Sequence, residues 1–226
     1  MKKILVLGAG LVSSPLVNYL LDEEDFEVTV ATRTVSKAEK LIKGHERGKA
    51  VQLNVKDTES LRQLIQNTDI AISLLPYVFH VKVAKLCIEF GKNMVTTSYI
   101  SDEMEALDEE AREAGLLILN EIGVDPGIDH MSAMRIIDRV EEEGGKITSF
   151  KSYCGGLPAP EANDNPFGYK FSWSPRGVLM AGKNNAKYLE NGEVVEVPGE
   201  ELFKHHWSLD FEGAPEDFET YPNRNS

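Results

Sequence analysis

Short apolar runs alternate with helix-patterned segments through about the first 120 residues. The runs Ile4–Leu7, Val28–Ala31, Ala50–Leu53, Ile70–Leu74, Met94–Thr97 and Leu116–Leu119 are predicted strands. They are near-continuously apolar rather than alternating, which is the pattern of parallel strands buried on both faces. Helices are predicted between them. Ser36-x-x-Glu39 reads as a capping box, and Asp57-Thr58 as the start of a helix through Ile65. After Ser101, residues Met104, Leu107, Ala111 and Ala114 fall at helical spacing and stop at Gly115. Alternation at this density implies an α/β fold, a parallel sheet with helices on both faces.

The texture changes after Glu121. Ile128 to Glu143 predicts a helix ended by Gly144-Gly145, followed by an alternating strand pattern from Ile147 to Tyr153. A stretch rich in Gly, Pro and Asn runs from Cys154 to Gly168, and Asn191-Gly192 is a two-residue hairpin signal. We therefore divide the chain into residues 1–125 and the start of an α+β domain at 126–226. That second domain is expected to be incomplete, because the sequence reaches Arg224-Asn225-Ser226 without a closing element.

Charge and cysteine usage narrow the function classes. The 24 Lys plus Arg face 37 Asp plus Glu, a net charge of −13 that disfavours nucleic acid and anionic membrane partners. Seven acidic residues between Asp102 and Glu113 read as a solvated helix face. Cys87 and Cys154 have no paired spacing, and His205-His206 lacks ligand company, so no disulfide framework and no metal are expected. The opening Met-Lys-Lys-Ile-Leu-Val-Leu imitates a signal peptide, but Gly8 and Gly10 end its apolar run. No later stretch approaches the roughly 18 apolar residues of a membrane span. These features predict a cytoplasmic protein.

Gly8-Ala9-Gly10-Leu11-Val12-Ser13 follows the first strand and opens a helix. In that context Gly8 permits the tight turn, and Gly10 lets a pyrophosphate reach backbone N–H groups, as in a Rossmann-like dinucleotide site. Ser13 stands where the fingerprint has Gly or Ala. The second strand ends Thr32-Arg33-Thr34, without the Asp or Glu that binds an NAD ribose. Arg33 offers a guanidinium to a 2′-phosphate, which favours NADP(H); alternatively it is a surface residue. Further strand ends, Leu75-Pro76-Tyr77, Thr96-Thr97-Ser98-Tyr99 and Glu121 to Pro126, should flank the nicotinamide, although each could be an ordinary connection. Residues alone read His80 and His130 as packed or capping, Tyr99 as a packed ring, and Cys154 as an inert buried thiol.

Longer segments carry a resemblance. Ile72 to Tyr77, Val95 to Ile100, Gly123 to His130, Ser152 to Pro160, Tyr169 to Ser174 and Tyr221 to Arg224 resemble the saccharopine reductases. That family joins 2-aminoadipate 6-semialdehyde to L-glutamate as an imine and reduces it with NADPH to saccharopine, reversibly, in lysine metabolism. The resemblance implies a Rossmann domain at 1–125 and the N-terminal part of a substrate and dimerisation domain at 126–226. It implies that Ser98, Tyr99, Asp125 and Arg224 line the saccharopine site. It bounds the cofactor with Leu11, Val12, Ser13, Thr32, Arg33, Thr34, Asn54, Val55, Leu75, Pro76, Thr96, Thr97, Val124, Asp125 and Pro126, with Ser174 closing over it. Asp125, Tyr99 and Cys154 are the candidates for proton handling. A related imine reductase such as carboxynorspermidine dehydrogenase, or a non-catalytic NADP-binding module, is the alternative reading. A homodimer is one assembly open to such a chain.

Overall fold

In a computed structural model of the chain, residues 1–210 and 218–223 are described. The chain divides into two compact units, Met1–Phe150 and Lys151–Ser226.

The first unit begins β1 (Lys2–Leu7), α1 (Ser13–Asp22), β2 (Phe26–Thr32), α2 (Val35–Ile42), β3 (Gly48–Gln52) and α3 (Thr58–Gln66). It continues β4 (Ile70–Ser73), α4 (His80–Glu89), β5 (Asn93–Thr96), α5 (Asp102–Glu105), α6 (Asp108–Glu113), β6 (Ile118–Leu119) and α7 (Ile128–Glu142). The six predicted strands are all present and form one sheet in the order β3-β2-β1-β4-β5-β6. Every pairing in it is parallel. The chain winds outward from β1 to β3 and then returns to β4 on the other side. Strand order thus reverses beside the carboxyl end of β1, where open α/β sheets bind their ligands.

The continuous apolar runs are explained by two cores. Ile4 and Val6 of β1 pack with Val17, Leu20 and Leu21 of α1 and Ala38 and Ile42 of α2. Leu5 and Leu7 point to the opposite face, toward Leu61 and Ile65 of α3 and Val83 and Cys87 of α4. A strand alternates its side chains, so one covered on both faces must be apolar at every position.

Local signals succeeded in part. Asp57 caps α3, its carboxylate accepting from the Ser60 N–H at 3.2 Å, and Ser101 caps α5 in the same way at Met104. The predicted capping box does not form. Thr34, not Ser36, occupies the cap position of α2, which places Ser36 inside the first turn. The helix expected after Ser101 is broken between Glu105 and Asp108. Met104, Leu107 and Ala111 are buried, but Ala114 is exposed. The Ile147–Tyr153 pattern forms no strand, since among the described residues no neighbouring strand supplies the hydrogen bonds such a segment needs.

The second unit holds α8 (Pro175–Ala181) and two antiparallel ribbons, β7 (Ala186–Glu190) with β8 (Glu193–Val197) and β9 (Trp207–Leu209) with β10 (Phe218–Thr220). The β7–β8 turn is the expected Asn191-Gly192, both residues at positive φ (53° and 84°) as a type I′ turn requires. No helix among the described residues is long and apolar enough to cross a membrane.

Candidate functional site

The glycine turn between β1 and α1 is tight and open on one side. Gly8 adopts φ +116°, and a Cβ there would meet the Leu74 carbonyl oxygen at 2.9 Å, so only glycine fits between β1 and β4. A Cβ on Gly10 would meet nothing within 4 Å, leaving the space above its backbone open. Ser13, the departure from the fingerprint, is fully buried. Its hydroxyl accepts from the Gly10 N–H at 2.9 Å and donates to the Gly8 carbonyl at 3.5 Å, tying the turn together where Gly or Ala would only pack. Among the described residues no side chain caps α1. Its N-terminal dipole and N–H groups, beside exposed Leu11 and Val12, therefore face the opening.

At the carboxyl edge of β2 stand the residues expected to meet the ribose. Arg33 and Thr34 are exposed and Thr32 is half-buried. Among the described residues no carboxylate pairs with the Arg33 guanidinium. Gln52 holds the Arg33 carbonyl at 3.3 Å. Asn54 and Val55 follow β3. Asn54 Oδ1 accepts from the Lys56 N–H, and the Val55 carbonyl accepts from Lys82 Nζ at 2.8 Å. A cationic fork, an open pyrophosphate cradle and an uncapped helix end fit a 2′-phosphorylated dinucleotide.

Across the switch point, Leu75-Pro76 leaves β4 and Thr96-Thr97-Ser98-Tyr99 leaves β5. Ser73 and Thr96 are register partners, and between them a polar cluster is buried. His80 Nδ1 lies 2.9 Å from Ser73 Oγ, while its Nε2 lies 2.8 Å from Ser98 Oγ and 3.2 Å from Thr96 Oγ1. Burial pushes the His80 pKa down to about 4, so the ring is neutral at pH 7. Ser73, His80 and Thr96 are three of the five buried polar side chains among the described residues.

The loop after β6 meets the loop after β5. Tyr99 donates its phenol to Asp125 Oδ1 at 2.8 Å. Several contacts fix the geometry of this loop. Ile122 N–H donates to the Thr96 carbonyl and Glu121 N–H to the Ser98 carbonyl, and Glu121 Oε1 accepts from Ile100. Gly127, at φ +147°, is pressed so closely on Gly123 that a Cβ would overlap its backbone. Val124 is exposed and Pro126 is buried. Asp129 accepts from the Gly127 N–H at 2.8 Å and from His130 at 2.7 Å. Partial burial raises the Asp129 pKa, but these two donors outweigh it and hold the carboxyl below its ordinary value.

The structure therefore brings the first-unit candidates to one edge of the sheet and pairs Tyr99 with Asp125 directly. Ser174 and Cys154 belong to the second unit. Ser174 caps α8, accepting from the Gly177 N–H at 3.1 Å. Cys154 is exposed, which corrects its reading as a buried thiol: its Gly-Gly-Leu-Pro surroundings form no regular element that could cover it. Arg224 lies outside the described residues. Sequence reading missed Ser73; His80 is packed, as expected, but its bonds to Ser73 and Ser98 were not foreseen. The available signal was a polar residue at the carboxyl end of each of two strands, Ser73 and Thr96, which become neighbours in the sheet. Among the described residues, no group of three or more His, Cys, Asp or Glu could hold a metal ion.

Strand order 3-2-1-4-5-6 with a glycine turn at the switch point defines the class, a Rossmann-like dinucleotide-binding protein. Residues 4–119 match the saccharopine dehydrogenase NADP binding domain, and residues 123–226 match the saccharopine dehydrogenase C-terminal domain. The chain belongs to the saccharopine dehydrogenase family. It is 49% identical to saccharopine dehydrogenase [NADP(+), L-glutamate-forming] of Schizosaccharomyces pombe, over 100% of this chain and 50% of that protein. It is 47% identical to the mitochondrial alpha-aminoadipic semialdehyde synthase of Bos taurus, over 100% of this chain and 24% of that protein. The solved apo saccharopine dehydrogenase (L-Glu forming) of Saccharomyces cerevisiae superimposes with a TM-score of 0.85 at 46% identity, covering 99% of this chain and 50% of that one. The chain spans about half the length of the first two fungal relatives it matches.

Proposed function

We propose that this chain carries the NADP(H) site and part of the substrate site of a saccharopine reductase, joining 2-aminoadipate 6-semialdehyde to L-glutamate. The observation that carries the reading is the Tyr99–Asp125 pair beside an open glycine cradle, in a chain of this family. The glutamate amine adds to the aldehyde and water leaves, giving an imine. Hydride addition to the imine carbon and a proton on nitrogen give the secondary amine of saccharopine. When bound, NADPH supplies the hydride. The protein's residues hold the reactants and handle protons. Gly8, Gly10, Leu11, Val12 and Ser13 receive the pyrophosphate, and Thr32, Arg33 and Thr34 receive the 2′-phosphate. Asn54, Val55, Leu75, Pro76, Thr96, Thr97, Val124, Pro126 and Ser174 bound the rest of the cofactor. Tyr99 and Asp125, already sharing one hydrogen bond, form a shell that can pass a proton during carbinolamine breakdown, and Cys154 is a further candidate for proton handling. Ser98 and Arg224 anchor carboxylates. Residues 126–226 would form the N-terminal part of the substrate domain. The protein is cytoplasmic and acts on these small molecules rather than on nucleic acid or membrane, and a homodimer is one assembly open to it.

The test is NADPH oxidation by the full-length protein, with the semialdehyde, in the presence and absence of L-glutamate. Oxidation that requires glutamate, and NADP+ reduction by saccharopine in reverse, are expected. Equal rates without glutamate would overturn the reading.

A further inference from the structure

We propose that His80 is a positioning residue for the substrate: its Nε2–H donates to the Ser98 hydroxyl oxygen, leaving the Ser98 proton to donate to a substrate carboxylate. This rests on the function proposed above and adds a residue and a proton assignment to it.

The assignment follows from counting protons in the buried cluster. Thr96 Oγ1 donates to the Ser73 carbonyl at 3.0 Å, and a carbonyl can only accept. A hydroxyl has one proton, so toward His80, 3.2 Å away, Thr96 Oγ1 can present only a lone pair. A bare Nε2 would set two lone pairs against each other there. Nε2 therefore carries the hydrogen, shared between Thr96 and the nearer Ser98 Oγ at 2.8 Å. The ring is neutral at pH 7, since burial holds its pKa at about 4, so Nδ1 is bare and accepts the Ser73 hydroxyl proton at 2.9 Å. Every polar atom of the cluster is then satisfied except the Ser98 proton. Ser98 is only half-buried and directly precedes Tyr99, which is bonded to Asp125. A hydroxyl whose lone pair is engaged from below turns its proton outward. Saccharopine has three carboxylates, and the chain's net charge of −13 gives them no help from the far field, so fixed local donors are needed.

Two measurements test this on the full-length protein. The first is the nitrogen chemical shifts of labelled histidine at pH 7, which should show Nε2 protonated and Nδ1 bare for His80; the Nδ1–H tautomer would overturn the proposal. The second is saccharopine affinity by calorimetry in the presence of NADP+. Ser98→Ala should weaken it about tenfold, the value of a hydrogen bond to a charged group. His80→Asn, which cannot reach Ser98, should match that loss, and the double variant should be no weaker than either single one. His80→Gln places an N–H near the Nε2 position and should restore most of the affinity. Additive losses, or a His80→Gln protein as weak as His80→Asn, would reject the positioning role while leaving the function intact. If His80→Asn fails to fold, the tautomer and the Gln and Ser98 variants decide alone. An unaltered protein that does not bind saccharopine overturns the function itself, and the carboxylate role of Ser98 with it.

Discussion

One guanidinium at the end of β2 bears on the choice between two cofactors that differ by one phosphate. Arg33 is exposed and, among the described residues, faces no carboxylate, so its charge is available to a 2′-phosphate. Arg33→Ala should weaken NADPH by about 1.5–3 kcal/mol, the worth of a charged hydrogen bond, with little change for NADH. Titrations in which both cofactors lose equally would reject that role. Asp125→Asn keeps an oxygen that can still accept from Tyr99 but removes the charge and the capacity to take a proton. A shared shell predicts a fall in kcat/KM near 10²-fold, at the low end for general acid–base catalysis. A fall beyond about 10⁴-fold with substrate affinities unchanged would make Asp125 indispensable by itself.

His80 gives a pH signature. Its folded-state pKa, about 4, lies below the ordinary 6.5 because burial penalises the charged ring. Between those values the unfolded chain binds a proton that the folded chain does not, so stability rises with pH through this window. Acidification from pH 6.5 toward 4 should cost roughly 3 kcal/mol through this group. Urea midpoints for the unaltered protein should fall across that range more steeply than those of His80→Gln; parallel curves would contradict the assignment. The carboxyls held low, such as Asp57 and Asp69, lose their contribution mainly below about pH 4 and interfere little. Gly8, Gly10 and Arg33 were singled out by spacing, whereas Asp125 read as part of a turn and entered the candidate site only through the family resemblance. His80 was read as a packed or capping histidine because its partners, Ser73 and Ser98, lie 7 and 18 residues away on separate strand ends.

At the scale of elements, the turn from β1 into α1 is the least tolerant connection. Gly8→Ala forces a side chain into a φ of +116° and against the Leu74 carbonyl at 2.9 Å. Positive φ alone costs about 1–3 kcal/mol. The variant should therefore melt at lower temperature and lose NADPH affinity, while Gly10→Ala, with nothing within 4 Å, should retain its stability and lose only cofactor affinity. Equal melting temperatures for Gly8→Ala and the unaltered protein would contradict this. Strand positions were legible because a run buried on both faces leaves a continuous apolar signature. Caps were less so. The Ser36-x-x-Glu39 motif satisfies a local pattern, but the cap position of α2 falls two residues earlier, at Thr34.

At the scale of the molecule, burial is uneven. Both large apolar clusters lie within residues 4–111, whereas the described core of the second unit is Ala186, Val197 and Leu202. A fragment of residues 1–150 should unfold cooperatively and bind NADPH. Residues 151–226 alone should show no cooperative thermal transition by circular dichroism, because so small a core cannot offset the conformational entropy of its chain. A sharp transition in the smaller fragment would contradict this. Sequence by itself determined the α/β class, the six parallel strands, the glycine turn, the Asn191-Gly192 hairpin and the absent acid after β2, since each is written in residues close together along the chain. Only the tertiary structure decided that Ile147–Tyr153 forms no strand, that Ser13 braces the phosphate turn, and that Tyr99 bonds Asp125 from 26 residues away. It also decided that a neutral histidine links the ends of β4 and β5. The last two outcomes depend on which strand ends become neighbours, and parallel crossovers make neighbours of residues far apart in the chain; the Ser13 bonds are local, but their geometry needs the turn already folded.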